Sequence, residues 1–359
     1  MKLSIILPCY NVADFLPRCF DSILSQPVDF EYEIIAVNDA STDNTFEILL
    51  QYASKNKNLL IIDKKVNGKL SGARTTGIQN ASGEYIMNMD PDDYLLPDAL
   101  NNLFSGDIGN FEMKIFNIIV EEKDDKTYLM YSNKLPRCFI LNNLKDSDLF
   151  FKTFYGPCYG KVIKRSLLDD LYYYEFNYNI GEDIAFNFEV FNRCKIIYFD
   201  PTPVYFYCFN KQSLIRGAFN TDRLNISQSW IENVKRVISN KGVSYKDSEY
   251  RIKLLAERYT VGLLLQIKSI QPNEKRTEVL TLWKDFIYSL FLLIDSGKSN
   301  LYKLALKITN EKIKYVIILL LLGQNKPYIE RIKKIFLNKG LNFINQLFLI
   351  TNLVKKMKV

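Results

Sequence analysis

The chain has 359 residues, 48% of them apolar and 24% charged, a balance that predicts a packed globular core and excludes global disorder. Histidine is absent, which removes Ser-His and Cys-His nucleophilic machinery and every His-ligated metal site; acid–base chemistry falls to carboxylates, Tyr or Lys, and any metal must be a hard, oxygen-bound cation. The net charge of +7 belongs to the C-terminal stretch: twelve Lys/Arg against Glu311 and Glu330 from residue 301 onward leave the first 300 residues at −3, which argues against a nucleic-acid-binding body.

Residues 3–7 form a five-residue apolar run, shorter than the seven or so a signal peptide's core needs, and Pro8-Cys9-Tyr10-Asn11 breaks it, so a buried first strand is expected. Residues 12–24 carry Phe15, Cys19, Phe20, Ile23 and Leu24 at helical spacing. A second strand is predicted at 33–37, a helix opening on an Asp or Thr cap at 43–54, and a third strand at 59–63. A short helix at 71–80 and a fourth strand at 85–89 follow. Short strands apolar on both faces, alternating with helices, predict an α/β fold with a mainly parallel sheet covered on each side. In such sheets ligands bind beyond the carboxyl ends of the strands. Tyr10-Asn11, Asn38-Asp39 and Asp90-Pro91-Asp92-Asp93 all stand at such ends.

The middle section reads as mixed: paired strands at 114–120 and 127–131, a helix at 148–154, and a strand at 160–164 entering a helix at Ser166. A helix at 182–192 and strands at 196–199 and 204–207 complete a sheet extension. From about residue 220 the periodicity turns helical, giving an expected catalytic domain over 1–218 and a basic helical region over 219–359. The six cysteines form no CxxC pair and no zinc spacing, and are expected as reduced core thiols of a cytosolic protein.

Four segments carry chemistry. In Asp90-Pro91-Asp92-Asp93 the proline disfavours helix at Asp90 and extends the turn. Crowded carboxylates raise one another's pKa, a cost that a divalent cation relieves, so the cluster is either a magnesium or manganese site for a diphosphate or a solvated turn capping the helix near Pro97. Asp39 is placed to accept a hydrogen bond from a base N–H, whereas Asp43 suits a helix cap. Gly68-Lys69-Leu70-Ser71-Gly72-Ala73-Arg74 lets backbone approach a ligand and offers Arg74 to phosphate, but is no P-loop. Glu182 and Asp183 open a helix, explicable as dipole capping and equally usable as general bases if that helix end faces the cleft. Tyr155, Tyr159 and Tyr178 are candidates either for stacking on a sugar or for the core.

Taken in order, Ser4-Ile5-Ile6-Leu7-Pro8-Cys9-Tyr10-Asn11, Asn38-Asp39-Ala40-Ser41-Thr42-Asp43, Ala73-Arg74, Asp90-Pro91-Asp92-Asp93 and Gly181-Glu182-Asp183 resemble the family-2 glycosyltransferases over about residues 1–210. The resemblance implies the GT-A nucleotide-binding fold and an inverting, metal-dependent transfer of a hexosyl or N-acetylhexosaminyl group. The donor would be a nucleotide-diphosphate sugar, a UDP-sugar by preference, and the acceptor a glycan or lipid-linked glycan, as in bacterial surface polysaccharide synthesis. It implies that Pro8, Tyr10, Asn11 and Asp39 frame the base and that Arg74 lies near the nucleotide. Asp90 would contact the ribose and the metal, Asp92 would hold Mn2+ or Mg2+, and Asp183 would be the base with Glu182 orienting the acceptor. Three positions depart from the usual pattern: Asn38 for Asp, Ala40 for Gly and Thr75 for Asn. The alternatives are a nucleotidyltransferase, disfavoured because Pro8-Cys9-Tyr10-Asn11 is not a glycine-rich phosphate loop, and a non-catalytic sugar-nucleotide-binding protein.

The tail interleaves Lys/Arg with apolar segments at 315–322, 332–337 and 341–354. Such helices predict peripheral attachment to an anionic inner membrane face; the competing reading is a helical subdomain with a solvated basic face.

Overall fold

The computed structural model describes residues 1–106, 111–140, 149–150, 153–154, 156–169 and 182–210. All of them fall within one compact unit, Met1–Asn233. The expected boundary at 218, the helical region 219–359, Gly181, the Glu182 side chain, Tyr155 and Tyr178 lie outside the described residues.

The unit's described residues form a ten-stranded sheet. Its first half is parallel: β1 (Leu3–Cys9) pairs with β2 (Tyr32–Asn38) and β4 (Tyr85–Asn88), and β2 with β3 (Leu59–Asp63). Every residue of β1 is buried, which is why its sequence runs apolar without alternation. Helices α1 (Leu16–Leu24), α2 (Thr45–Ala53) and α3 (Lys69–Gln79) make the crossovers. Their apolar faces explain their position: Leu16, Cys19, Phe20 and Ile23 of α1 are all buried. Gly77 lets α3 approach β1 and β2, for a Cβ there would fall on Ile6 Cγ2 and reach within 3.5 Å of Val37.

The second half is mixed. From β4 the sheet continues through β9 (Lys161–Lys164), β6 (Met113–Glu121), β10 (Ile196–Tyr207) and β5 (Tyr94–Leu95). Strands β7 (Thr127–Leu129) and β8 (Cys138–Ile140) pair with β6 and β10. Helix α4 (Ala99–Leu103) follows β5, and α5 (Glu182–Arg193) precedes β10. This is the α/β arrangement expected, and the first seven elements match their predicted ranges to within four residues. Four details differ. The strands expected at 196–199 and 204–207 are one, β10, which crosses Asp200-Pro201-Thr202-Pro203 with register shifts against β6 rather than a break. Only a single 3-10 turn, Arg165–Leu167, follows β9 where a helix was expected. The two-residue β5 and three-residue β8 are too short to leave a period in the sequence. Cys138 is exposed, whereas the other five cysteines are core thiols as expected.

Among the described residues, no helix is long and apolar enough to cross a membrane.

Candidate active site

The register of the parallel half aligns its carboxyl ends. Cys9 lies opposite Asn38, so Tyr10-Asn11 and Asp39-Ala40 leave the sheet side by side, and Met89 N–H still bonds the Ile6 carbonyl before the chain turns at Asp90. Pro8 is buried within β1, and Tyr10, 48% exposed, stands at the mouth of this edge.

The β1 and β2 exits are laced together. Asn11 Oδ1 accepts the Thr42 N–H at 2.8 Å, and the Asn11 N–H reaches Ser41 Oγ at 3.1 Å. Asp43 does what a cap does: one oxygen accepts the Thr45 N–H at the start of α2 and the other the Ala13 N–H. These bonds outweigh its partial burial and hold its carboxyl below the usual range. Ala40 adopts a left-handed φ of 60°, a conformation natural to the glycine expected at that position.

Asp39 is buried and anchored. Its Oδ1 meets Lys64 Nζ at 2.5 Å and accepts the Gly68 N–H at 2.9 Å. A Cβ at Gly68 would displace the Lys64 ammonium from its present position beside Asp39. The glycine-containing loop thus approaches the chain's own ion pair. Lys64 was not singled out in the sequence; it follows β3 directly, and only the β2–β3 register brings it to Asp39.

From α3, the buried Arg74 extends a guanidinium N–H to Asp90 Oδ1 at 2.5 Å. Arg74 and Asp90, which the resemblance assigns to the nucleotide and its ribose, are thus joined as an ion pair. The acidic turn itself divides its carboxylates. Asp93 points inward, 1% exposed: Oδ2 accepts the Tyr205 hydroxyl at 2.7 Å and Oδ1 the Cys208 N–H at 2.8 Å. Burial, then the Asp92 and Asp90 charges, push its carboxyl well above the usual range. Asp92 and Asp90 are half-buried. Asp92 Oδ2 accepts an Asn210 amide N–H at 3.1 Å, while Arg18 bonds the Asp92 carbonyl, not its carboxylate, at 2.6 Å. Burial first, and Asp90 second, raise the Asp92 carboxyl.

These bonds exclude the reading of the cluster as a helix cap. Helix α4 starts at Ala99, its N-cap Asp98 makes no side-chain cap bond, and Asp93 is committed to β10 instead. A cation at Asp92, with Asp90 beside it, fits the chemistry, since a carboxylate whose charge is disfavoured by burial and a like neighbour is one that a divalent ion stabilises. Among the described residues no three His, Cys, Asp or Glu side chains converge as a metal cage.

Asp183, part-exposed, opens α5. Asp183 and the acidic turn act on one side chain, Tyr159, whose hydroxyl burial and then Asp93, Asp90, Tyr207 and Asp183 all push upward. One phenol therefore lies within electrostatic reach of both the acidic turn and Asp183. Tyr159 is packed in a tyrosine ladder, stacked on Tyr205 at 4.7 Å and Tyr207 at 5.7 Å, rather than presented as a sugar platform. Tyr205, Asn210 and Arg18, which bear on the acidic turn, were not legible in the sequence, because an aromatic strand and isolated polar residues carry no spacing signal.

Comparison with known proteins agrees with this geometry. Residues 4–172 match the model of Glycosyl transferase family 2. The poly(ribitol-phosphate) beta-glucosyltransferase of Bacillus spizizenii is 31% identical over 310 residues, covering 81% of this chain and 45% of that protein. Glycosyltransferase GlyA of Streptococcus pneumoniae is 32% identical over 232 residues, 60% of this chain and 32% of its own length. The chain thus spans less than half the length of either relative. Among solved structures, S. aureus TarS 1-349 in complex with UDP-GlcNAc superposes with a TM-score of 0.64 at 17% identity, over 88% of this chain and 86% of that one, which establishes the shared fold.

Proposed function

Through residues 4–172 the chain belongs to glycosyl transferase family 2, and on that premise we propose that it transfers a sugar from a nucleotide-diphosphate donor, a UDP-sugar, to a hydroxyl of a surface-polysaccharide acceptor. The observation that carries the reading is the gathering of Asp39, the Arg74–Asp90 pair and Asp92 at the carboxyl ends of the adjacent parallel strands β2, β1 and β4; Asp90 and Asp183 both act on the Tyr159 phenol. The names of the similar proteins, a poly(ribitol-phosphate) glucosyltransferase and a protein crystallised with UDP-GlcNAc, support the donor and acceptor classes. A hexosyl or N-acetylhexosaminyl group is the matching cargo.

In this reading Asp39 and the residues around Tyr10 and Asn11 hold the base, while Asp90, held by Arg74, faces the ribose. Asp92, with Asp90 beside it, would hold Mn2+ or Mg2+, which when bound supplies positive charge to the leaving diphosphate. Asp183 takes the proton of the acceptor hydroxyl, which attacks the anomeric carbon opposite the diphosphate, so the configuration inverts. Glu182 orients the acceptor. The enzyme would work on the cytoplasmic side, its domain 1–218 doing the chemistry and the basic region 219–359 holding it at the membrane. The test is a panel of nucleotide sugars scored for manganese-dependent hydrolysis and for thermal stabilisation of the protein. Asp183→Asn should lose transfer at least about a hundredfold and still bind nucleotide; turnover close to wild type in that variant sinks the assignment.

A further inference from the structure

We infer that Tyr205 is a positioning residue of the donor site: its hydroxyl ties the two ends of the acidic turn together and thereby fixes where Asp90 and Asp92 stand. The inference rests on the donor-site reading above.

Tyr205 lies on β10, 115 residues beyond Asp90, and is fully buried. Its oxygen accepts the Asp90 N–H at 3.0 Å and its O–H goes to Asp93 Oδ2 at 2.7 Å. A phenol can do both at once, accepting on one side and donating on the other. The first residue of the turn and the last are therefore joined through one atom of a distant strand. Asp93 is closed further by the N–H of Cys208, the residue just after β10, and the turn's own Asp93 N–H to Asp90 carbonyl bond at 3.1 Å completes the loop. The residues between, Pro91 and Asp92, are held by their flanks.

The ring itself is placed independently of these bonds. It stacks on Tyr159 with 9° between planes, and its backbone pairs with Leu95, the residue two beyond Asp93. The hydroxyl is thus delivered by packing, so the two bonds order the turn without having to order the tyrosine. A tyrosine serving only the core would need one partner for its hydroxyl; this one spends both of its bonds on the turn that carries the carboxylates of the site.

The experiment is Tyr205→Phe in the full chain, which keeps the ring and its stacking and removes both bonds. Calorimetric binding of UDP, titrated against Mn2+, is the readout, with acceptor KM as the control. The half-saturating Mn2+ concentration for UDP binding should rise about 10- to 100-fold, the range for loss of a group that orients metal ligands, with circular dichroism and acceptor KM unchanged. Asp93→Asn perturbs the same link from its other end, and the double variant should be no worse than the more damaged single. A folded Tyr205→Phe with wild-type UDP affinity and Mn2+ dependence overturns the inference, as do additive losses in the double variant. Failure of Tyr205→Phe to fold also counts against it, since the hydroxyl would then serve the sheet. A wild-type chain that binds neither UDP nor any other nucleoside diphosphate removes the donor-site reading, and this inference with it.

Discussion

Lys161 permits a quantitative test of how the interior beside α5 is built. It sits on β9 with no exposed surface; its ammonium donates to the Pro157 carbonyl and lies 5.9 Å over the Phe191 ring. Burial lowers its pKa from 10.5 to about 8, against the opposing pull of Cys158 and Asp183. The folded protein therefore holds this proton less tightly than the unfolded chain does. Between pH 8 and 10.5 the unfolded chain binds more protons, so stability rises with pH through that window, and below it the full penalty stands. Two and a half powers of ten in proton affinity, at about 1.4 kcal/mol each, amount to about 3 kcal/mol. Lys161→Met keeps the bulk and deletes the charge. Denaturant unfolding of both proteins should show the wild-type free energy gaining about 3 kcal/mol on the variant from pH 7 to 10.5, other alkaline titrations cancelling in the difference. At pH 7 the variant should be no less stable than wild type, because a well-packed apolar side chain replaces a desolvated charge. A pH-independent difference, or a variant destabilised by more than about 2 kcal/mol at pH 7, refutes the reasoning.

Three further outcomes are expected. Gly77→Ala, which in an exposed helix would stabilise by about 1 kcal/mol, should instead destabilise by about 1–3 kcal/mol because the added methyl meets Ile6; a rise in Tm would show that α3 does not press on β1. Arg74→Lys keeps the charge but loses the fork that reaches Asp90, so the donor KM should rise about tenfold while kcat changes less, and an unchanged donor KM removes Arg74 from the nucleotide site. The full chain should co-sediment with vesicles containing anionic lipid, and a chain ending near residue 300, stripped of a net +10, should not; equal pelleting of both dismisses the membrane role of the tail.

The parallel half of the sheet was legible because its strands announce themselves twice, by unbroken apolar runs and by polar residues at each exit. The registers of β1 with β2 and with β4 then bring Asn11, Asp39 and Asp90 to one edge. What stayed hidden is long-range and short-element structure. Lys64 meets Asp39 only through strand pairing, and β10 reads as two strands because Pro201 and Pro203 interrupt a ladder that tolerates them at shifts of register. The acidic cluster was ambiguous for a related reason. Its spacing is the same whether the carboxylates cap a helix or gather at a site, and the deciding bonds come from Tyr205, Cys208 and Asn210, more than a hundred residues away.

That distance has a physical purpose. Three carboxylates within four residues repel one another, and a turn left to itself would splay them toward water. Here the repulsion is managed by giving each a different direction. Asp93 goes inward, where Tyr205 and Cys208 absorb its two oxygens. Asp90 is drawn to Arg74 of α3. Asp92 keeps a raised carboxyl with a neutral amide from Asn210 as hydrogen-bond donor, while Arg18 reaches its backbone carbonyl instead. The turn thus leaves available a carboxylate whose charge is disfavoured by burial and a like neighbour, and a bound cation with its phosphate ligands would relieve that cost. Local sequence supplies the charges, but Arg74 of α3 and the residues of β10 and its exit decide which of them stays available.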